Sequence, residues 1–187
     1  MHKQNKKIYL LPGRGGRVDG FIGKILKDFS YEVEGHNIDD TFQKIRFAEQ
    51  IKIIKKDLEN HFSNKESKVI ANSYGAYLFL HAILEMKDFQ GKALLFSPML
   101  GRSKIDENRP IVSPPRAKKL LQYKKENNFP NINLEVHTGV NDEICDPQLA
   151  EDIFKEMPSC KLLLVPNASH RLDGEYIKHV ISGFLEN

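Results

Sequence analysis

The stretch that most restricts the fold of this chain is Val69-Ile70-Ala71-Asn72-Ser73-Tyr74-Gly75-Ala76-Tyr77-Leu78-Phe79-Leu80. A short apolar run stops at a serine, and an apolar, helix-compatible segment begins directly after it. A small residue, Ala71, precedes Ser73 by two positions, and Gly75 follows by two. A strand that turns into a helix this abruptly brings its backbone close to itself, and small residues at 71 and 75 leave room for that approach. The serine at the apex has two readings. It is either the N-cap of the following helix, or a strained residue whose hydroxyl is exposed at a sheet edge beside the positive end of a helix.

The segments around this turn alternate between strand and helix patterns. Ile8-Tyr9-Leu10-Leu11 reads as a buried strand and is followed by the glycine-rich loop Pro12-Gly13-Arg14-Gly15-Gly16-Arg17. Val18, Phe21, Ile22, Ile25, Leu26 and Phe29 have helical spacing. Tyr31-Glu32-Val33-Glu34 reads as an edge strand. Asp39, Asp40 and Thr41 offer N-caps to one long amphipathic helix carrying Phe42, Ile45, Ala48, Ile51, Ile54, Leu58 and Phe62. Further strands are expected at 68–71, 92–98, 133–139 and 161–166. Helices are expected at 74–86, 116–126, 147–157 (with Asp146 as N-cap and Pro147 at the first position) and 176–185. This alternation implies an α/β fold with a mostly parallel sheet of about six strands and helices on both faces. In such sheets functional side chains collect at the carboxyl ends of the strands.

Composition removes several alternatives. A chain of 187 residues is long enough for one well-packed domain, and a formal charge of +3 gives no argument for nucleic acid. The apolar run after the basic N-terminus is four residues before Pro12, short of the roughly 7–15 of a signal peptide. No stretch approaches the roughly 18 apolar residues that suggest a membrane span. Cys145 and Cys160 form no C-x-x-C pair, so a cytoplasmic protein without membrane contact is expected. His36, His61, His81, His137, His170 and His179 show no metal-binding spacing, and Gly13, Gly15 and Gly16 do not make a dinucleotide fingerprint. No metal and no cofactor is therefore expected.

A serine nucleophile requires a base, a carboxylate to orient it and N–H donors for an oxyanion. Asp142 follows the fifth strand and His170 the sixth, so both lie on loops at the sheet edge that carries Ser73. The order Ser, Asp, His is the α/β-hydrolase order. The chain resembles a small α/β-hydrolase over nearly its whole length. Ala71-Asn72-Ser73-Tyr74-Gly75 resembles that family's nucleophile elbow, Gly139-Val140-Asn141-Asp142-Glu143 its acid loop, Asn167-Ala168-Ser169-His170 its histidine loop, and Leu10-Leu11-Pro12-Gly13-Arg14 its oxyanion loop. Two positions depart from the pattern: Ala71 replaces the first elbow glycine, and Pro12 replaces the usual histidine before Gly13.

The resemblance implies Ser73 as nucleophile, His170 as base and Asp142 as orienting acid. It implies the backbone N–H groups of Arg14 and Tyr74 as oxyanion donors, with Gly13 and Arg14 in contact with substrate and the Arg14 side chain able to meet an anionic group. It also implies a single domain over 1–187 with a short cap at about 99–130. The family's usual sheet has eight strands. With six, the first hairpin is missing and the spatial order is 2-1-3-4-5-6, as in compact single-domain serine hydrolases of the retinoblastoma-binding type.

Other residues compete for these roles. His36 ends the second strand at the same edge. His81, His137 and His179 fall inside regular elements. Asp146 competes with Asp142, and Cys145 is a thiol beside the acid loop. The expected cap carries Arg102, Lys104, Arg109, Arg116, Lys118, Lys119, Lys124 and Lys125. These form either a rim that attracts anionic substrates or a solvated helix face. The expected activity is hydrolysis of a small carboxylic ester or thioester. The alternative is a non-catalytic binding or regulatory protein on a hydrolase scaffold.

Overall fold

The computed structural model describes residues 6–101 and 114–186. Six strands, β1 (Lys6–Leu11), β2 (Tyr31–Gly35), β3 (Lys68–Asn72), β4 (Lys92–Phe96), β5 (Asn133–Gly139) and β6 (Cys160–Val165), form one sheet. Its order is β2-β1-β3-β4-β5-β6, and every neighbouring pair is parallel. The helices are α1 (Phe21–Asp28), α2 (Asp40–Lys44), α3 (Phe47–His61), α4 (Tyr74–Ile83), α5 (Lys119–Lys125), α6 (Pro147–Phe154) and α7 (Gly174–Glu186).

Side chains of a strand alternate between the two faces of its sheet, and the core divides accordingly. Ile8, Leu10, Ile70, Leu94 and Phe96 face α1 and α7, where they meet Ile25, Leu26, Ile181 and Phe184. Tyr9, Leu11, Val69, Ala71, Ala93 and Leu95 face the other layer, built by α2 to α6. All of α4 is buried, and it is the element that carries Ser73 at its head.

The long helix expected over 42–62 is two helices. Ile45 and Arg46 are extended, with ψ of 137° and 138°, so the chain turns between α2 and α3. The buried amide of Gln50 supports the turn by donating to the carbonyls of Phe42 and Ile45, at 3.0 and 2.9 Å. Asp39 caps α2 by accepting from Thr41 and Phe42 N–H, and Asp146 caps α6 by accepting from Gln148 N–H. The cap residues expected at 102–113, with Arg102, Lys104 and Arg109, lie outside the described residues. No helix among the described residues is long and apolar enough to cross a membrane.

His81 lies on α4, fully buried, and neither ring nitrogen has a hydrogen-bond partner among the described residues. Its ring meets Tyr77 edge-on at 4.4 Å and Phe47 at 5.4 Å between centroids. Burial pushes its pKa down to about 3, and the nearby charges of Arg116 and Lys119 push the same way. The unfolded chain binds this proton at about 6.5, so it holds more protons than the folded one between the two values. Stability is therefore lost as pH falls through that window, by about 1 kcal/mol per pH unit. Urea melts at pH 7 and pH 5 are expected to show a smaller acid loss for His81→Phe than for the parent. Equal losses would remove His81 as a source of acid sensitivity.

Candidate active site

Ser73 sits between β3 and α4 with φ 50° and ψ −114°, a conformation that costs a non-glycine residue about 1–3 kcal/mol. The surrounding backbone holds it there. Its N–H donates to Phe96 C=O at 2.9 Å, and its C=O accepts from Met99 N–H at 3.1 Å and Tyr77 N–H at 3.2 Å. The N-cap reading and the strained-serine reading separate on the side chain. Ser73 occupies the N-cap position, but its hydroxyl makes no cap bond. The hydroxyl instead lies 3.0 Å from His170 Nε2.

The other ring nitrogen of His170, Nδ1, lies 2.9 Å from Asp142 Oδ2 and 3.1 Å from Oδ1. An ionised carboxylate only accepts, so Nδ1 carries the proton and the neutral ring leaves Nε2 as acceptor for the serine hydroxyl. Asp142 is fully buried. Its Oδ1 also accepts from Ile144 N–H at 2.9 Å and Cys145 N–H at 2.7 Å, which holds the carboxylate in place. Such a relay can draw a proton from the hydroxyl onto the ring and steady the cation that results.

The glycine-rich loop after β1 packs directly on this serine. A Cβ on Gly13 would stand 3.3 Å from Ser73 Cβ and 3.2 Å from Asn72 Nδ2. The loop is fastened from behind: Gly15 N–H donates to Ile38 C=O at 2.8 Å, and Ile38 N–H donates to Gly16 C=O at 2.9 Å. Among the described residues, the N–H groups of Arg14 and Tyr74 donate no turn, loop or cap hydrogen bond. The Arg14 guanidinium lies over the Tyr74 ring, 4.9 Å from its centroid.

Several of the competing residues are engaged or buried elsewhere. His36 bonds Asp57 at 2.7 Å, and Asp57 also accepts from the Tyr9 hydroxyl at 2.7 Å. His137 is buried between Tyr176 and Glu135. Asp146 is the cap of α6. The Cys145 thiol is buried, and burial, with the charges of Asp142 and Glu143, pushes its pKa up, so it stays protonated. Donor atoms of Asp142, Cys145 and His170 come within 4.8 Å of one another, close enough to hold a cation. A protonated thiol is a poor ligand, and the Asp142 and His170 atoms are already committed to each other.

Two of the described basic residues of the cap segment are tied down. Arg116 pairs with Glu85 and lies over the Phe47 ring, and Lys119 stands 4.0 Å from the same Glu85. A cavity of about 740 Å³ runs past Pro114, Arg116, Lys118 and Lys119, and none of Ser73, Asp142 or His170 lines it. Two contacts to His170 had no expectation behind them. The Ser97 hydroxyl donates to its C=O at 2.8 Å, and Glu143 Oε2 accepts from its N–H at 3.1 Å.

No protein-family model matches the chain, and no curated protein sequence does. Solved structures do. A CIB-like hydrolase from Thermoplasma acidophilum superposes with a TM-score of 0.70 at 12% identity, over 100% of this chain and 89% of that one. The mouse α/β-hydrolase domain-containing protein 10 gives 0.70 at 13% identity, over 100% and 90%. This chain has the α/β-hydrolase fold. A monoacylglycerol lipase from Paleococcus ferrophilus shares it, with a TM-score of 0.65 at 16% identity over 96% of this chain and 93% of the lipase. Among the described residues the α/β-hydrolase fold here has six strands, in the order expected from the sequence. It puts the ends of β3, β5 and β6, which lead to Ser73, Asp142 and His170, at one edge of the sheet.

Proposed function

We propose that this protein is a serine hydrolase that cleaves a small carboxylic ester or thioester through an acyl-serine intermediate. The observation that carries this reading is the Ser73 hydroxyl, which leaves its helix end uncapped and bonds His170 Nε2 instead. Ser73 Oγ attacks the acyl carbon while its proton passes to Nε2. The oxyanion meets the N–H groups of Arg14 and Tyr74 at the head of α4. Collapse breaks the bond to the leaving alcohol or thiol, which takes the proton from His170. Water then attacks the acyl carbon as His170 removes its proton, the bond to Ser73 Oγ breaks, and the proton passes from His170 back to Oγ as the acid departs.

Asp142 keeps the ring oriented and stabilises its charged form throughout. Gly13 and Arg14 line the acyl site, and no cofactor or metal takes part. The esterase and lipase names among structures of the same fold support a small-molecule ester as substrate. The chain is taken as one domain with its cap at about 99–130, acting in the cytoplasm.

The test is labelling by a fluorophosphonate, which phosphonylates activated serines. The parent protein is expected to label, and Ser73→Ala and His170→Ala are not. A panel of short-chain esters and thioesters then ranks the leaving groups. A folded parent that does not label would favour the alternative of a binding protein on a hydrolase scaffold.

A further inference from the structure

The relay fixes the His170 ring, but the ring can only be as well placed as the loop that carries it. That loop, 166–173, follows the last strand of the sheet, β6, which among the described residues pairs with β5 alone. Loops of this kind are ordinarily among the first segments to open. Here the backbone of His170 is held at both ends by side chains. Its C=O accepts from the hydroxyl of Ser97, and its N–H donates to the carboxylate of Glu143.

Ser97 is fully buried and has φ 41°, a conformation that disfavours any residue with a side chain. Its neighbours are the groups that hold the nucleophile: Phe96 C=O accepts from Ser73 N–H, and Met99 N–H donates to Ser73 C=O. Residues 96–99 therefore touch the serine through their backbone and the histidine through one hydroxyl. Glu143 adds the other half. It follows Asp142, so two consecutive carboxylates reach the same histidine, one at the ring and one at the backbone. The bond to His170 N–H helps hold the Glu143 carboxyl below its ordinary range, so it stays ionised. An exposed glutamate that folds back onto a loop amide contributes little to the core.

We infer that Glu143 and Ser97 are positioning residues, a two-sided clamp on the His170 backbone that sets the distance between the histidine and Ser73. The inference rests on the proposed hydrolase reading for its effect on rate, but the clamp itself can be tested without any activity. Glu143 is the half to test, because it is exposed and its replacement leaves the core untouched.

Two readouts are taken on the parent, Glu143→Ala and Glu143→Gln: amide hydrogen exchange of the segment around His170, and the kinetics of ester hydrolysis. Glu143→Ala is expected to speed exchange and to lower kcat about tenfold, the equivalent of one hydrogen bond, with KM within about twofold. Glu143→Gln keeps an acceptor oxygen and is expected to restore most of both. Unchanged exchange in Glu143→Ala would overturn the clamp. So would a Gln variant as impaired as the Ala variant, since that outcome assigns the effect to charge. A parent that takes no fluorophosphonate and hydrolyses neither ester nor thioester but shows the exchange pattern would retire the hydrolase reading and leave the clamp standing.

Discussion

Ser73→Ala and His170→Ala are each expected to lower ester turnover by about 10⁴- to 10⁶-fold, and the double variant is expected to be no slower than the worse of the two. The reason lies in the relay. The hydroxyl is a weak nucleophile until Nε2, at 3.0 Å, takes its proton, and the imidazole has nothing to activate once the hydroxyl is gone. Two groups that act as a unit lose their function together, so their losses do not add. Asp142→Asn is expected to fall by about 10⁴-fold, because a carboxamide facing Nδ1 can donate and so favour the wrong ring tautomer. Turnover of a chromogenic short-chain ester, with circular dichroism to confirm folding, checks all four variants. Additive losses would mean that Ser73 and His170 act separately and that the relay is not the source of the rate.

Gly75→Ala is expected to destabilise the fold by about 3 kcal/mol or more, among the larger effects a single methyl produces. Its Cβ would stand 2.3 Å from Leu11 C=O and 2.4 Å from Pro12 C=O. Both obstacles are backbone atoms at the end of a central strand, so neither can swing aside as a side chain would. The displacement would pass to Gly13 and Arg14, and fluorophosphonate labelling should fall along with stability. Gly183→Ala on α7 is the control: a Cβ there meets nothing within 4 Å, and helix propensity alone predicts a gain of about 1 kcal/mol. Denaturant melts of the two variants decide the matter. A stable, fully labelled Gly75→Ala would mean that the elbow relaxes more easily than its packing implies.

The strands and their order were legible because each combines an apolar run with a terminating turn signal, and because parallel sheets leave few ways to connect such runs. Ser73, Asp142 and His170 could be singled out because each falls just past a strand end, where one-dimensional order predicts spatial convergence. The break at Ile45-Arg46 was not legible. The apolar period runs unbroken through Ile45, and the break is held by the amide of Gln50, which acts only once α3 is folded back on α2. The pairing of His36 with Asp57 was hidden for a similar reason, since a histidine at a strand end and an acid in a helix 21 positions later give no periodic signal. Ser97 and Glu143 were hidden more deeply. Both act on the backbone of His170, and a backbone partner leaves no trace in residue identity.

From β3 onward, each strand of this sheet adds to an edge the chain has already made, since β3, β4, β5 and β6 lie side by side in the order of synthesis. A chain emerging from the ribosome can therefore extend its sheet without reopening it. Ser73 and the backbone groups of Phe96 and Met99 that hold it are translated well before His170, which follows the last strand. The serine is thus shaped early but has no partner to take its proton until the final strand docks. On the proposed hydrolase reading, the nascent protein carries an unarmed hydroxyl during translation, and reactivity arrives together with completion of the fold.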